Sequence, residues 1–205
     1  MAAPPPFDET QLPGAPDTEV VLHALHGHDA AAREIVRRYE RPVFNLVRRM
    51  VRDPAAAEDL TQDTFLKIFR SLGTFDPRLR LSAWILKIAH NTALDHLRRS
   101  RIPYVPLEAN DPGDGSSSDL LDPAAVPPDR AAARVEMAEA VGRALEALRP
   151  EYRAALTLRY QEDLDYHEIA DVLGLPLGTV KTFLHRGRRA LAARLAADGW
   201  APPKP

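Results

Sequence analysis

Residues 103–129, PYVPLEANDPGDGSSSDLLDPAAVPPD, do not have the pattern of a segment that joins a hydrophobic core. Proline, glycine, serine and aspartate dominate them, which predicts a flexible linker. They also carry Glu108, Asp111, Asp114, Asp119, Asp122 and Asp129 and no basic residue, a local charge of −6. A chain interrupted in this way has to build its cores on either side. Its 205 residues, 45% of them hydrophobic, are enough for two small domains.

Both sides read as helix. Before the linker, Asp29 can cap a helix beginning at Ala30, in which Ile35, Val36, Tyr39, Val43, Leu46 and Val47 recur near the helical period. Pro42 is placed to kink it. Asp53 followed by Pro54 is an N-cap with proline at the first helical position, and predicts a helix to about Ser71. A third helix, about Ser82 to Ser100, sets Ile85, Ile88, Ala89, Thr92 and Leu97 on one side and Lys87, Asn91, Asp95 and Arg98 on the other. After the linker, helices are predicted from Ala131 to Leu148, Pro150 to Tyr160, Tyr166 to Leu173 and Leu177 to Leu195. Almost nothing reads as strand. The expected fold is therefore all-α: two small helical bundles joined by a flexible acidic linker.

Within the second bundle, DLDYHEIADVLGLPLGTVKTFLHRGRRAL predicts a helix-turn-helix. Asp165 and Glu168 form a capping box, Gly174 supplies the left-handed residue that ends the first helix, and Leu175 and Pro176 complete the turn. Val180, Leu184, Leu191 and Leu195 make the buried stripe of the second helix. Thr179, Lys181, Thr182, His185, Arg186, Arg188 and Arg189 are left facing outward, a set of side chains suited to the major groove and its phosphate rims. Gly187 within that helix costs about 1 kcal/mol relative to alanine and is expected to permit a close approach.

The overall charge hides this placement. The chain has 27 basic and 29 acidic residues, yet Leu175 to Leu195 holds five basic side chains and no acid. Asp76 to Arg101 is basic as well, while DPAAAEDLTQD just before it presents Asp53, Glu58, Asp59 and Asp63 without a base. An acidic helix beside a basic one suits a protein partner on one side and nucleic acid on the other.

Other chemistry finds little support. There is no cysteine, so disulfides and thiolate metal sites are excluded. His23, His26 and His28 lack helical i, i+4 spacing and nearby co-ligands, so no metal is expected. No phosphate-binding glycine loop, nucleophile elbow or HExxH helix occurs, so neither a cofactor nor an enzyme is expected. No apolar run approaches the ~20 residues that span a bilayer, and the proline-rich start does not read as a signal peptide, so a cytoplasmic protein without membrane insertion is expected.

Three stretches, AEDLTQDTFLKIF, FDPRLRLSAWILKIAHNTALDHLRR and LRPEYRAALTLRYQEDLDYHEIADVLGLPLGTVKTFLHRGRRAL, resemble in that order the signatures of bacterial RNA polymerase sigma factors of the sigma-70 family, extracytoplasmic-function group. Five prolines in the first seventeen residues predict a disordered tail over 1–17; the resemblance implies a region 2 domain over 18–101 and a region 4 domain over 131–197, on either side of the linker over 102–130, with a tail left over 198–205. It also implies that Asp59, Leu60, Gln62 and Asp63 bind the β′ clamp of the polymerase core. Lys87, Asn91 and Arg98 would meet the −10 strand, with the loop Phe75 to Leu81 pocketing a flipped base, and Trp84 either stacking there or joining the core. Thr179, Lys181, Thr182, His185, Arg186 and Arg189 would read the −35 element while the domain rests on the β flap.

Asp63 stands where the family motif has glutamate, and Phe183 where members often have arginine, so that Phe183 either touches a thymine methyl or packs. The linker would thread toward the RNA channel, and an anti-sigma factor would restrain the protein. Without the resemblance, the same residues would also suit a stand-alone helix-turn-helix regulator or an adaptor that binds polymerase without reading DNA.

Overall fold

The computed structural model describes residues 8–51, 53–100 and 131–200. The linker acids and both chain ends, Met1 to Phe7 and Ala201 to Pro205, lie outside them. The first bundle contains α1 (Asp17–Leu25), α2 (Asp29–Val51), α3 (Pro54–Ser71) and α4 (Leu81–Arg99). The second contains α5 (Ala131–Glu146), α6 (Pro150–Tyr160), α7 (Tyr166–Leu173) and α8 (Leu177–Ala197). No strand occurs among the described residues.

In the first bundle, α2 is the central post. Ile35, Val43, Leu46 and Val47 are fully buried at helical spacing and pack against α1, α3 and α4. The helix runs through Pro42 without a break, although proline removes one intrahelical bond there. α3 opens as its sequence dictates, with the Asp53 side chain accepting from the Ala55 N–H at 3.1 Å. Lys67 Nζ donates to Thr92 Oγ1 at 3.0 Å and ties α3 to α4.

Part of the segment expected as a disordered tail is folded. Residues Glu9–Gly14 form a 3-10 helix capped by Asp8, and Leu12 is buried. The cause lies in α2. Arg38 donates to the carbonyls of Leu12 (2.6 Å) and Ala15 (2.8 Å), and to the carboxylates of Asp17 (2.7 Å) and Glu34 (2.7 Å). Tyr39 donates to Asp17 at 2.5 Å. Glu34, buried and bonded to Arg37 and Arg38, is held down to about 2. Five prolines in 17 residues give a local signal of disorder; the contacts that override it come from more than twenty residues away.

The second bundle is built on α6, whose Ala154, Ala155, Leu156 and Leu158 are all buried. Arg153 is buried too, with Nη1 donating to the Glu146 carbonyl at 3.1 Å.

The two bundles share one continuous core. α4 packs against α7, and α2 against α6. Met50, His90 and Leu97 of the first bundle face Leu173, Leu175 and Phe183 of the second across a space of about 10 Å³, room for a water molecule at most. Two arginines flank this seam. Arg80 donates to the Asp163 carbonyl at 2.9 Å and to Glu168 at 3.3 Å, and Arg49 donates to Gln161 at 3.3 Å.

Candidate nucleic-acid interface

On α3, Glu58, Asp59, Gln62 and Asp63 are exposed along one face. The face continues into exposed Leu66 and Phe69. Leu60 departs from the expectation. It is only 4% exposed, because it falls in line with Ala57 and Thr64 on the side turned to the core. Leu60 is thus core, and the outward acids with Gln62 are what a partner can reach.

α4 presents Lys87, Asn91 and Arg98 to solvent, as its sequence pattern predicts. The opposite side is buried more widely than one stripe requires: Leu86, His90 and Ala93 are covered as well as Ile85, Ala89, Thr92 and Leu97, while Ile88 of the expected stripe is half-buried. A helix packed from two directions explains this, since α7 covers what α2 and α3 do not. His90, 3% exposed and with Nδ1 lacking a hydrogen-bond partner, is held down to about 4, first by burial and then by the Arg98 charge against the opposing effect of Asn91.

The loop before α4 is built by local bonds. The Asp76 carboxylate accepts from the Arg78 backbone N–H and guanidinium, which hold it down to about 2. Phe75 is buried with its ring 5.5 Å from that of Trp84, so Trp84 packs partly into the core. A cleft of about 330 Å³ opens beside this loop, lined by Phe75, Leu79 and Arg80 together with Asp17, Tyr39 and, from the other bundle, Glu162.

The helix-turn-helix follows its sequence closely. The Asp165 carboxylate accepts from the backbone N–H groups of His167 and Glu168, both at 2.8 Å, and Glu168 accepts from the Asp165 N–H at 2.8 Å. The Glu168 and His167 N–H groups lower the Asp165 carboxyl below the usual range. Gly174 closes α7 at φ 66°, the left-handed region that favours glycine.

On α8, Lys181 and Arg189 are exposed, while Thr182, His185, Arg186 and Arg188 are half-exposed. Thr182 donates its hydroxyl to the Gly178 carbonyl at 2.9 Å. Thr179 does not face outward: it is 8% exposed and shares an i, i+4, i+8 stripe with Phe183 and Gly187, both of which pack against α6. Phe183 packs edge-on to Tyr152 at 5.6 Å between ring centroids, so it belongs to the core rather than to a DNA face. Leu191 and Leu195, expected in the stripe with Val180 and Leu184, are half-exposed.

The three histidines near α1 make no metal set. His23 is buried with its ring 5.5 Å from that of His28, and His26 bonds the Leu22 carbonyl. Among the described residues no group of three metal-ligating side chains occurs, and no helix is long and apolar enough to cross a membrane. Arg49 is not among the residues that sequence reasoning assigns to a site, and Arg80 enters only as part of the loop Phe75 to Leu81, without its contact to the second bundle. Their partners lie 112 and 83 residues away, so no local pattern announces them.

Comparison with known proteins places these surfaces in context. The family model for Sigma-70 region 2 matches residues 35–102, and that for Sigma-70, region 4, matches residues 138–191. The RNA polymerase sigma-H factor of Pseudomonas aeruginosa is 34% identical over 181 residues, covering 85% of this chain and 91% of that protein. The ECF RNA polymerase sigma factor SigW of Bacillus subtilis is 31% identical over 172 residues, covering 82% and 91%.

Among solved structures, CnrH in complex with the cytosolic domain of CnrY superposes with a TM-score of 0.60 at 25% identity, covering 89% of this chain and 98% of that one. The sigma factor RpoE in complex with the anti-sigma factor NepR from Bartonella quintana superposes at 0.57 with 22% identity, covering 81% and 97%, which supports the fold.

Proposed function

The chain belongs to the sigma-70 family of bacterial RNA polymerase sigma factors, in its extracytoplasmic-function group, and we propose that it lends core polymerase its promoter specificity through three separate faces of its two bundles. The acidic face of α3 docks on basic residues of the β′ clamp. The polar face of α4 and the loop before it receive the single strand of the −10 element. α8 enters the major groove at the −35 element while its bundle rests on the β flap. The chain contributes recognition and strand opening, and the polymerase does the chemistry.

The order of these faces along the chain supports the reading: an outward acidic helix, an outward polar helix and an outward basic helix, each with its inner side packed into the core. Complementary charge directs α3 to a basic protein surface, and lysine and arginine on α8 add phosphate contacts that a polar neighbour alone would not supply. Strand opening follows from differential binding, since a pocket that holds an unstacked base favours the open strand. The chain is further proposed to be held by an anti-sigma factor, as the B. quintana protein is.

Run-off transcription with purified core polymerase tests the reading. Core with this protein starts at a defined promoter, and core alone does not. Absence of a start site that depends on both promoter elements would overturn it.

A further inference from the structure

We propose that the cavity between α2, α5 and α6 is a binding site for a small phosphorylated anion, with Arg48, Arg49 and Arg153 holding its phosphate groups. The proposal does not rest on the promoter reading.

The cavity has a volume of about 420 Å³ and is lined by Asn45, Arg48 and Arg49 of α2, Gly142 and Glu146 of α5, and Arg153 of α6. Small-molecule sites occupy roughly 300–1,000 Å³, so the space suits a ligand of that class. Asn45, Arg48 and Arg49 are spaced i, i+3, i+4 and share one side of their helix. Arg153 arrives from a second helix and is only 1% exposed, with Nη1 held on the Glu146 carbonyl at 3.1 Å. Little water screens a charge buried in this way. The lining thus sets three guanidinium groups against one carboxylate.

Arg49 is the informative member. Arg33, Arg37, Arg38, Arg78 and Arg80 each have a carboxylate oxygen at 2.6 to 3.5 Å. Among the described residues Arg49 has no such partner, and its hydrogen bond to Gln161 is long at 3.3 Å. Burial lowers its guanidinium below the ordinary range, and the charges of Glu146 and Glu162 offset only part of that. A half-buried cation without a carboxylate partner, beside two more cations, favours a polyanion: the ligand gains charge-assisted hydrogen bonds and the protein loses self-repulsion.

The donor set selects phosphate over carboxylate. A carboxylate offers two oxygens in one plane, whereas guanidinium groups from two helices call for acceptors spread in three dimensions. Gly142 leaves further room, since a Cβ built on it meets nothing within 4 Å. The fit is therefore to a diphosphate, or to a nucleoside diphosphate whose organic part lies beside Gly142 and Asn45.

Isothermal titration calorimetry of the full-length protein at low salt tests the site, with inorganic pyrophosphate as the first probe and ADP as the second. Pyrophosphate should bind one-to-one with a Kd on the order of 0.1 mM, and tighter binding of ADP would assign the remaining space to the nucleoside. Arg49→Gln should weaken pyrophosphate binding about tenfold, and Gly142→Glu, which sets a carboxylate in the open space, should do the same. Glu146→Gln, at an exposed position, should strengthen it several-fold by removing the opposing charge. Opposite signs at Arg49 and Glu146 exclude loss of fold as the common cause.

The absence of saturable binding up to about 10 mM pyrophosphate, or an affinity that these three variants leave unchanged, would overturn the proposal. So would a loss on Arg189→Gln that Arg49→Gln does not share, which would put the anion on α8. Displacement of pyrophosphate by a short single-stranded oligonucleotide would make the cavity a nucleic-acid contact and overturn the small ligand as well.

Discussion

Gly187 of α8 lies against Tyr152 of α6 so closely that a Cβ built on the glycine would stand 3.2 Å from the Tyr152 Cβ, with Leu156 Cδ1 at the same distance. The glycine admits the close helix crossing that seats the basic helix on its bundle. Alanine would gain about 1 kcal/mol in helix propensity, but overpacking typically costs about 1–3 kcal/mol. Gly187→Ala should therefore lose about 1 kcal/mol in urea unfolding, and Gly187→Val more. A stabilised alanine variant would mean that α6 and α8 separate without penalty.

The packing of the two bundles against each other should weaken in acid. An exposed histidine titrates near about 6.5, and His90 in the seam between the bundles is held down to about 4. The packed form binds the proton less readily, so its full advantage is present above about pH 6.5 and declines as pH falls toward 4, by at most about a factor of ten per pH unit. The charged groups near it are Arg98 on α4, which disfavours the proton, and Glu151 of α6 in the same cavity; Met50, Leu173 and Phe183 bring no charge from α2, α7 and α8. Interdomain distances at about pH 7.5 and about pH 5.5 check this, with His90→Leu expected to remove the difference.

The clamp-facing acids and the core leucine between them should separate cleanly by phenotype. Asp59→Arg with Gln62→Arg changes only exposed positions, so thermal unfolding should move little while affinity for core polymerase falls. Leu60→Ala should instead cost about 2–5 kcal/mol of stability. Pull-down with core polymerase alongside calorimetry distinguishes the two.

The recognition helix should divide its work in the same way. Removing Lys181 or Arg189, both exposed, should weaken binding to any −35 duplex and lower the magnitude of the salt slope by about 0.9 for each phosphate that is no longer neutralised. Substituting His185 should change which duplexes are preferred. Titrations over a range of salt on a panel of duplexes read both effects.

What the sequence revealed was local. Asp53 with Pro54, the Asp165–Glu168 box and Gly174 are bonds or dihedrals closed within four residues, and each appears where its pattern places it. Thr179 lies inward, against its pattern, because a single apolar stripe does not describe a helix that α6 and α7 contact from different directions; the same packing settles Phe183 in the core. Arg38 and Arg80 act on partners far along the chain, and nothing in their immediate neighbours distinguishes them from ordinary surface arginines.

Arg38 also sets where the first bundle can be cut. A fragment starting at Thr18 would keep every core residue of α2, α3 and α4 yet leave this guanidinium with Glu34 as its surviving carboxylate and strip Asp17 from the Tyr39 hydroxyl. A piece of this half of the molecule that keeps the network whole thus begins at or before Asp8, the cap of the 3-10 helix, and a boundary drawn from helix propensity alone would sever it inside its own polar contacts.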